Sequence, residues 1–123
     1  MIIFGEDYGF MLTVGASAAI ADLCPDGDLK KLDELLAGKT GDVLRFTAQF
    51  IVEMAKGFDD AKRFAGEEIT HRPLTVDMIL ALSSDVFKEV ESAAISAFRG
   101  DTKTTVEVAP PKKEESRQEK ALV

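Results

Sequence analysis

The stretch Asp42–Lys56, DVLRFTAQFIVEMAK, constrains the fold of this chain more than any other. Set on a helix, its polar residues Arg45, Gln49, Glu53 and Lys56 fall on one stripe at roughly four-residue spacing. The remainder is apolar or small: Val43, Leu44, Phe46, Thr47, Ala48, Phe50, Ile51, Val52, Met54 and Ala55. A surface helix usually shows an apolar face about 100° wide or somewhat more. Here the polar side is the narrow one, so neighbouring elements must cover most of the circumference. Thr40 or Asp42 is placed to cap the amino end, where the first backbone N–H groups lack partners. Gly57 is placed to end the helix in a left-handed conformation.

The rest of the chain supplies elements to pack on it. Met1–Phe4 and Tyr8–Thr13 are short apolar, β-branched and aromatic runs around Gly5-Glu6-Asp7, a pattern that predicts a β-hairpin. Such a hairpin is marginal alone and must pack on helices or pair with another chain. Thr13 can cap a helix over Val14–Cys24, stopped by Pro25, which disfavours helical geometry in the residue before it. Pro25-Asp26-Gly27 is a turn, and Asp28 can cap a second helix over Leu29–Leu36. Phe58–Phe64 can add one or two turns ending at Gly66, and Glu67–Pro73 reads as a polar loop. Thr75 then caps a short helix over Val76–Leu82, and Ser83 or Ser84 caps a last helix to Arg99 with Gly100 after it. That helix gathers Val86, Phe87, Val90, Ala93, Ala94, Ala97 and Phe98 on one face, where Phe87 and Val90 are expected to meet Phe46, Phe50 and Met54. The expected fold is mainly α: a hairpin over residues 1–13 on a compact domain of about five helices over 14–100, then a flexible tail over 101–123. The tail holds Pro110-Pro111 and mostly charged or small residues, too little apolar surface to offset its ordering entropy. Thr104–Val108 alternates weakly, as a short edge strand would.

Charge narrows the function classes. The chain has 123 residues and a net charge of -7. Residues 1–100 carry 10 Lys+Arg against 17 Asp+Glu, whereas residues 101–123 carry 5 of each. An acidic body argues against nucleic-acid binding, which needs clustered cations. The single cysteine, Cys24, rules out an internal disulfide and points to a reducing compartment. No signal peptide is expected at the amino end, and no apolar run approaches the ~20 residues that span a bilayer.

Catalytic patterns are missing. The only histidine, His71, lies in a loop with no orienting partner named by sequence, and an exposed loop histidine is the simpler reading. Cys24 ends a helix instead of starting one and lacks cationic neighbours, so it reads as a buried structural thiol. Asp26 and Asp28 flank Gly27 without the further ligands of a calcium loop, and turn and cap roles account for both. Gly38-Lys39-Thr40 resembles the end of a phosphate loop, but Asp33 stands where its first glycine belongs. The expectation is a protein that is not an enzyme, with no catalytic residue, cofactor or metal.

What remains is apolar surface. Phe58 and Phe64 lie beyond the central stretch among charges, and either complete the core or meet a partner. Ile95 falls on the far side of the last helix from Val86, near Lys88 and Glu91, and Phe98 closes that helix's apolar face. These four are the candidate partner-binding residues, because a contiguous exposed apolar patch usually marks an interaction site.

The runs LTVGASAAIADLCPDGDLKKLDELL (Leu12–Leu36), FIVEMAKGFDDAKRF (Phe50–Phe64), RPLT (Arg72–Thr75) and SAAISAFRGD (Ser92–Asp101) resemble the tail assembly chaperones of long-tailed bacteriophages and prophages. The likeness covers about residues 8–101 and rests on hydrophobic pattern and short phrases. It implies a non-enzymatic, helical, self-associating protein that holds the tape-measure protein and meets the tail tube protein in the host cytoplasm, absent from the mature virion. It also implies a ribosomal frameshift near the end of the gene giving a longer product, for which Pro111-Lys112-Lys113 offers a permissive codon run. Two other readings stay open: a small acidic adaptor or regulatory protein, and a minor structural component of the virion.

Overall fold

A computed structural model describes residues 1–38 and 40–100. Its order is β1 (Ile2–Ile3), β2 (Glu6–Asp7), α1 (Val14–Leu23), two 3-10 turns (Pro25–Gly27 and Leu29–Lys31), α2 (Leu32–Leu36), α3 (Gly41–Phe64), α4 (Val76–Leu80) and α5 (Ser84–Arg99). The architecture is mainly helical with a short amino-terminal antiparallel hairpin, as the periodicity requires. The tail, its weak strand pattern at Thr104–Val108 and the Pro111-Lys112-Lys113 run lie outside the described residues.

Most boundaries are set by local chemistry. The side chains of Thr13, Thr40, Thr75 and Ser83 each accept a hydrogen bond from a backbone N–H of the first turn they precede, at 3.0, 3.3, 3.2 and 3.3 Å. Asp28 does the same for Lys30 at 3.0 Å, but opens a 3-10 turn that leads into α2. Gly100 ends α5 at φ 76, the left-handed geometry glycine adopts without steric cost.

Two expectations are corrected. The hairpin turns at Phe4 and Gly5, both with positive φ, and its second strand is Glu6–Asp7 in the register Ile2↔Asp7 and Ile3↔Glu6. Tyr8–Thr13 is not a strand. Its apolar residues are claimed by the helices: Tyr8 and Phe10 are buried, and the Met11 N–H donates to the Met54 carbonyl of α3 at 3.1 Å.

Gly57 does not end the central helix either. α3 runs 24 residues to Phe64, with Gly57 buried inside it. A Cβ there would stand 2.6 Å from the Met11 carbonyl oxygen and 3.2 Å from the Ala16 Cβ. The glycine is a point of close approach, and its helix cost of about 1 kcal/mol is outweighed by the packing it permits.

α3 is the axis of the body. It contacts α1, α2, α4 and α5, which cover Thr47, Ala48, Phe50, Ile51, Met54 and Ala55. Phe50, Met54 and Val90 are fully buried as expected, with Phe46 and Phe87 packed half-buried against them. The expected polar stripe stays outermost, with Arg45 and Lys56 exposed and Gln49 donating to Glu53 at 3.2 Å. Thr47, buried, donates its hydroxyl to the Val43 carbonyl at 2.8 Å, so no polar group is stranded there. Among the described residues, no helix is long and apolar enough to cross a membrane.

Candidate interaction surface

The four residues singled out from sequence have different fates. Phe64 is 89% exposed on the last turn of α3. Phe58 is half-buried, its ring occupying the space where Gly9 has no side chain and lying 5.3 Å from the Lys62 ammonium. Phe98 packs edge-on against Phe50, ring centroids 5.7 Å apart. Ile95 is not isolated on the solvent side of α5: it is partly buried against the core. The structure therefore leaves one of the four, Phe64, as a free-standing apolar side chain and sets the other three in or at the edge of the packed body.

α5 carries a continuous outer strip. Ser92 and Ser96, spaced four apart, form a low ridge between two hollows, with Lys88 one turn before them. The larger, 690 Å³, lies between Ala93 and Ala97 of α5 and the Met1, Tyr8 and Phe10 side chains. The smaller, 350 Å³, is bordered by Ile95, Glu91 and Arg99. Small side chains along an i, i+4 row let a second helix approach closely, ridge into groove.

A separate apolar groove of 480 Å³ opens at the other end of the molecule from Phe64. Leu36 of α2, Leu44 of α3, Leu80 of α4, Leu82 of the link after it and Phe87 of α5 line it. Leu44 and Leu80 are 42% and 45% exposed, although Leu44 belongs to the apolar pattern that points α3 to the core.

The polar surroundings of His71 differ from the expectation of an exposed loop histidine. Its Nε2 lies 2.9 Å from the Asp59 carboxylate, and Asp59 is buried on α3. At that distance the imidazole and the carboxylate are hydrogen-bond partners. The Tyr8 ring tilts over the imidazole at 4.5 Å, and the Tyr8 hydroxyl donates to the Arg72 carbonyl at 2.8 Å. Arg72 in turn pairs with Glu6 at 3.0 Å and donates to the Phe4 carbonyl at 3.3 Å. Burial pushes the Tyr8 phenol above its ordinary value, followed by the nearby Glu6 charge. This network ties hairpin, loop and α3 together. Its geometry is that of a clasp.

Cys24 is buried, with its thiol donating to the Ile20 carbonyl at 3.4 Å and pushed up in pKa by burial. That is the environment of an inert structural thiol. Among the described residues, no group of three or more His, Cys, Asp and Glu is placed to hold a metal ion.

No family model, curated protein or solved structure matches this chain.

Proposed function

We propose that this protein is a non-catalytic tail assembly chaperone that holds the tape-measure protein of a long-tailed phage or prophage until the tail tube protein assembles around it. The reading joins the resemblance over about residues 8–101 to one observation: the strip along α5, a small-residue ridge between two hollows open to solvent. Tape-measure clients are long amphipathic helices, and such a strip takes a helix through its ridge without the strip itself rearranging. The protein acts in the cytoplasm of the bacterial host and leaves before the virion matures. Its acidic surface keeps it off nucleic acid.

The test is co-expression with the long coiled-coil gene product encoded beside it, followed by capture through a tag on either partner. Wild type is expected to retain the coiled-coil protein in soluble form. Ser92→Glu and Ser96→Glu, on exposed or half-buried ridge positions, are expected to lower capture at least tenfold while the circular dichroism spectrum stays unchanged. Equal capture by the ridge variants removes the strip from the mechanism. A stoichiometric signal for this chain in purified virions moves the assignment to a structural component.

A further inference from the structure

We infer that the hollow between the second half of α3 and the loop after it takes an arginine side chain presented by a partner protein. On α3, Val52, Lys56, Asp59 and Arg63 follow one another at three- or four-residue spacing and so share one face. Ile69, His71 and Leu74 of the loop form the other wall, and the hollow measures 640 Å³. Volumes of this order are those of ligand pockets, with more room than one side chain fills. Val52, Ile69, Pro73 and Leu74 give it an apolar lining, which suits a methylene stem.

The charges select the occupant. Four carboxylates border the hollow, Asp59, Asp60, Glu67 and Glu68, against two cations, Lys56 and Arg63. Arg63 is already taken by Asp60 at 2.6 Å, and Glu67 by Lys62 at 3.2 Å. Glu68 stands in no ion pair among the described residues. Asp59 is the group with the most to gain. It is only 8% exposed, and His71 meets its Oδ2 alone, at 2.9 Å. Its Oδ1 has no hydrogen bond among the described residues. A carboxylate offers about four acceptor positions, and leaving a buried one underserved is costly. A donor entering the hollow relieves that cost, whereas an anion would add to it.

A guanidinium meets this need better than an ammonium. Its planar fork of five N–H donors serves more than one acceptor at once, here Asp59 and Glu68. The apolar wall on the exposed loop gives the residues on either side of the arginine a surface to cover, which a free guanidinium compound would leave bare. No residue of α5 borders this hollow, so the inference does not rest on the client reading of the α5 strip.

The probe is a blocked leucine-arginine-leucine tripeptide, titrated into the nitrogen-labelled full chain and followed by amide NMR. Saturable shifts are expected at Asp59, Ile69 and His71. Citrulline in place of the arginine keeps the shape and removes the charge, and should weaken binding about tenfold, the low end of one charge-assisted hydrogen bond. Glu68→Gln, exposed on the loop and outside the clasp, should weaken the arginine peptide by a similar factor with an unchanged circular dichroism spectrum. Asp59→Asn, which keeps an oxygen for His71, should do the same. Lys56→Gln should tighten binding, because it removes a cation that repels the incoming one. Absence of saturable shifts at these residues overturns the inference, as does equal binding of the citrulline peptide or of the Glu68→Gln variant. Weaker binding by Lys56→Gln overturns it too, since the hollow would then favour an anion. Agmatine bound as tightly as the tripeptide overturns the partner protein as the source and assigns the hollow to a free guanidinium compound.

Discussion

The middle and the last turns of α3 belong to one helix with one periodicity, yet they are held by different means. From Thr47 to Ala55 the side chains are covered by flanking helices, and burial follows the apolar pattern residue by residue. From Gly57 to Phe64 four residues answer to something distant in sequence or to nothing. Gly57 meets Met11 and Ala16, Phe58 lies on Gly9, Asp59 bonds His71, and Phe64 stands in solvent. A helical pattern states which residues share a face. Whether that face is covered is decided by segments that cross it, and those are not written in the helix. Three substitutions along α3 and one in the clasp test the contrast in decreasing order of expected cost.

Phe50→Ala, in the middle region, should be the most damaging. Phe50 is 0% exposed and carries the Phe98 ring edge-on, so truncation leaves a cavity and an unsupported aromatic. The expected loss is about 3–5 kcal/mol in chemical denaturation. A loss near the roughly 1 kcal/mol of an average substitution would mean that the middle of α3 is no better packed than its end.

Gly57→Ala sits on the border between the two regions and separates propensity from packing. In an exposed helix this change gains about 1 kcal/mol. Here the new methyl would meet the Met11 oxygen at 2.6 Å and the Thr13 hydroxyl at 3.0 Å, both on the segment that enters α1. Overpacking of this kind costs about 1–3 kcal/mol, so a net destabilisation by equilibrium unfolding is expected. A stabilised variant would show that the amino-terminal segment yields at this point of close approach.

The same border marks how far sequence reading reached. Caps at Thr13, Thr40, Thr75 and Ser83 were legible because a cap is satisfied by N–H groups two or three residues away. The central core and the extent of α5 were legible for a similar reason, since both are periodic. Gly57 reads as a stop because glycine at a helix end and glycine at a close crossing look alike without the crossing chain. The second strand was misplaced because buried Tyr8 and Phe10 give the alternation of a half-buried strand while pairing with no strand. The clasp was not legible at all: Tyr8 and Arg72 are 64 residues apart, and Asp59 and His71 are 12 apart on different elements. Leu44 is hidden for the opposite reason, being an apolar residue in an apolar pattern that the fold leaves half open.

Tyr8→Phe tests the clasp with the smallest possible edit. It keeps the ring against His71 and removes only the hydroxyl that donates to Arg72. One such hydrogen bond contributes about 0.5–1.5 kcal/mol. The same residue predicts an alkaline response. The folded-state pKa of Tyr8 lies above its ordinary 10.0, and that of Cys24 above 9.0, both through burial. A raised pKa means the native state holds the proton more tightly, so this stability is fully present below the ordinary values and falls as pH rises through the folded ones. Unfolding midpoints should therefore decline first above pH 9.0 and further above 10.0, and Tyr8→Phe should blunt the upper part of that decline. An unaltered profile in the variant would assign the alkaline loss to Cys24 and leave the clasp a purely geometric tie.

Phe64→Asp should cost the fold almost nothing, and the reason sharpens the whole contrast. Phe64 is fourteen positions after Phe50, close to four helical turns, so the two share nearly the same angular position on α3. One is the most enclosed aromatic of the helix and the other is 89% exposed. Surface changes away from caps, cores and strained backbone usually fall within about 0.5 kcal/mol of neutral. An acidic residue in the last turn is slightly disfavoured by the helix dipole, by a few tenths of a kcal/mol at an exposed site. The melting temperature, measured at concentrations where the protein is monomeric, should therefore shift by no more than a degree or two beyond that. If Phe64→Asp instead lowers the melting temperature by many degrees, the last turns of α3 are bound into the body in the manner of the middle ones, and Phe64 is a core residue.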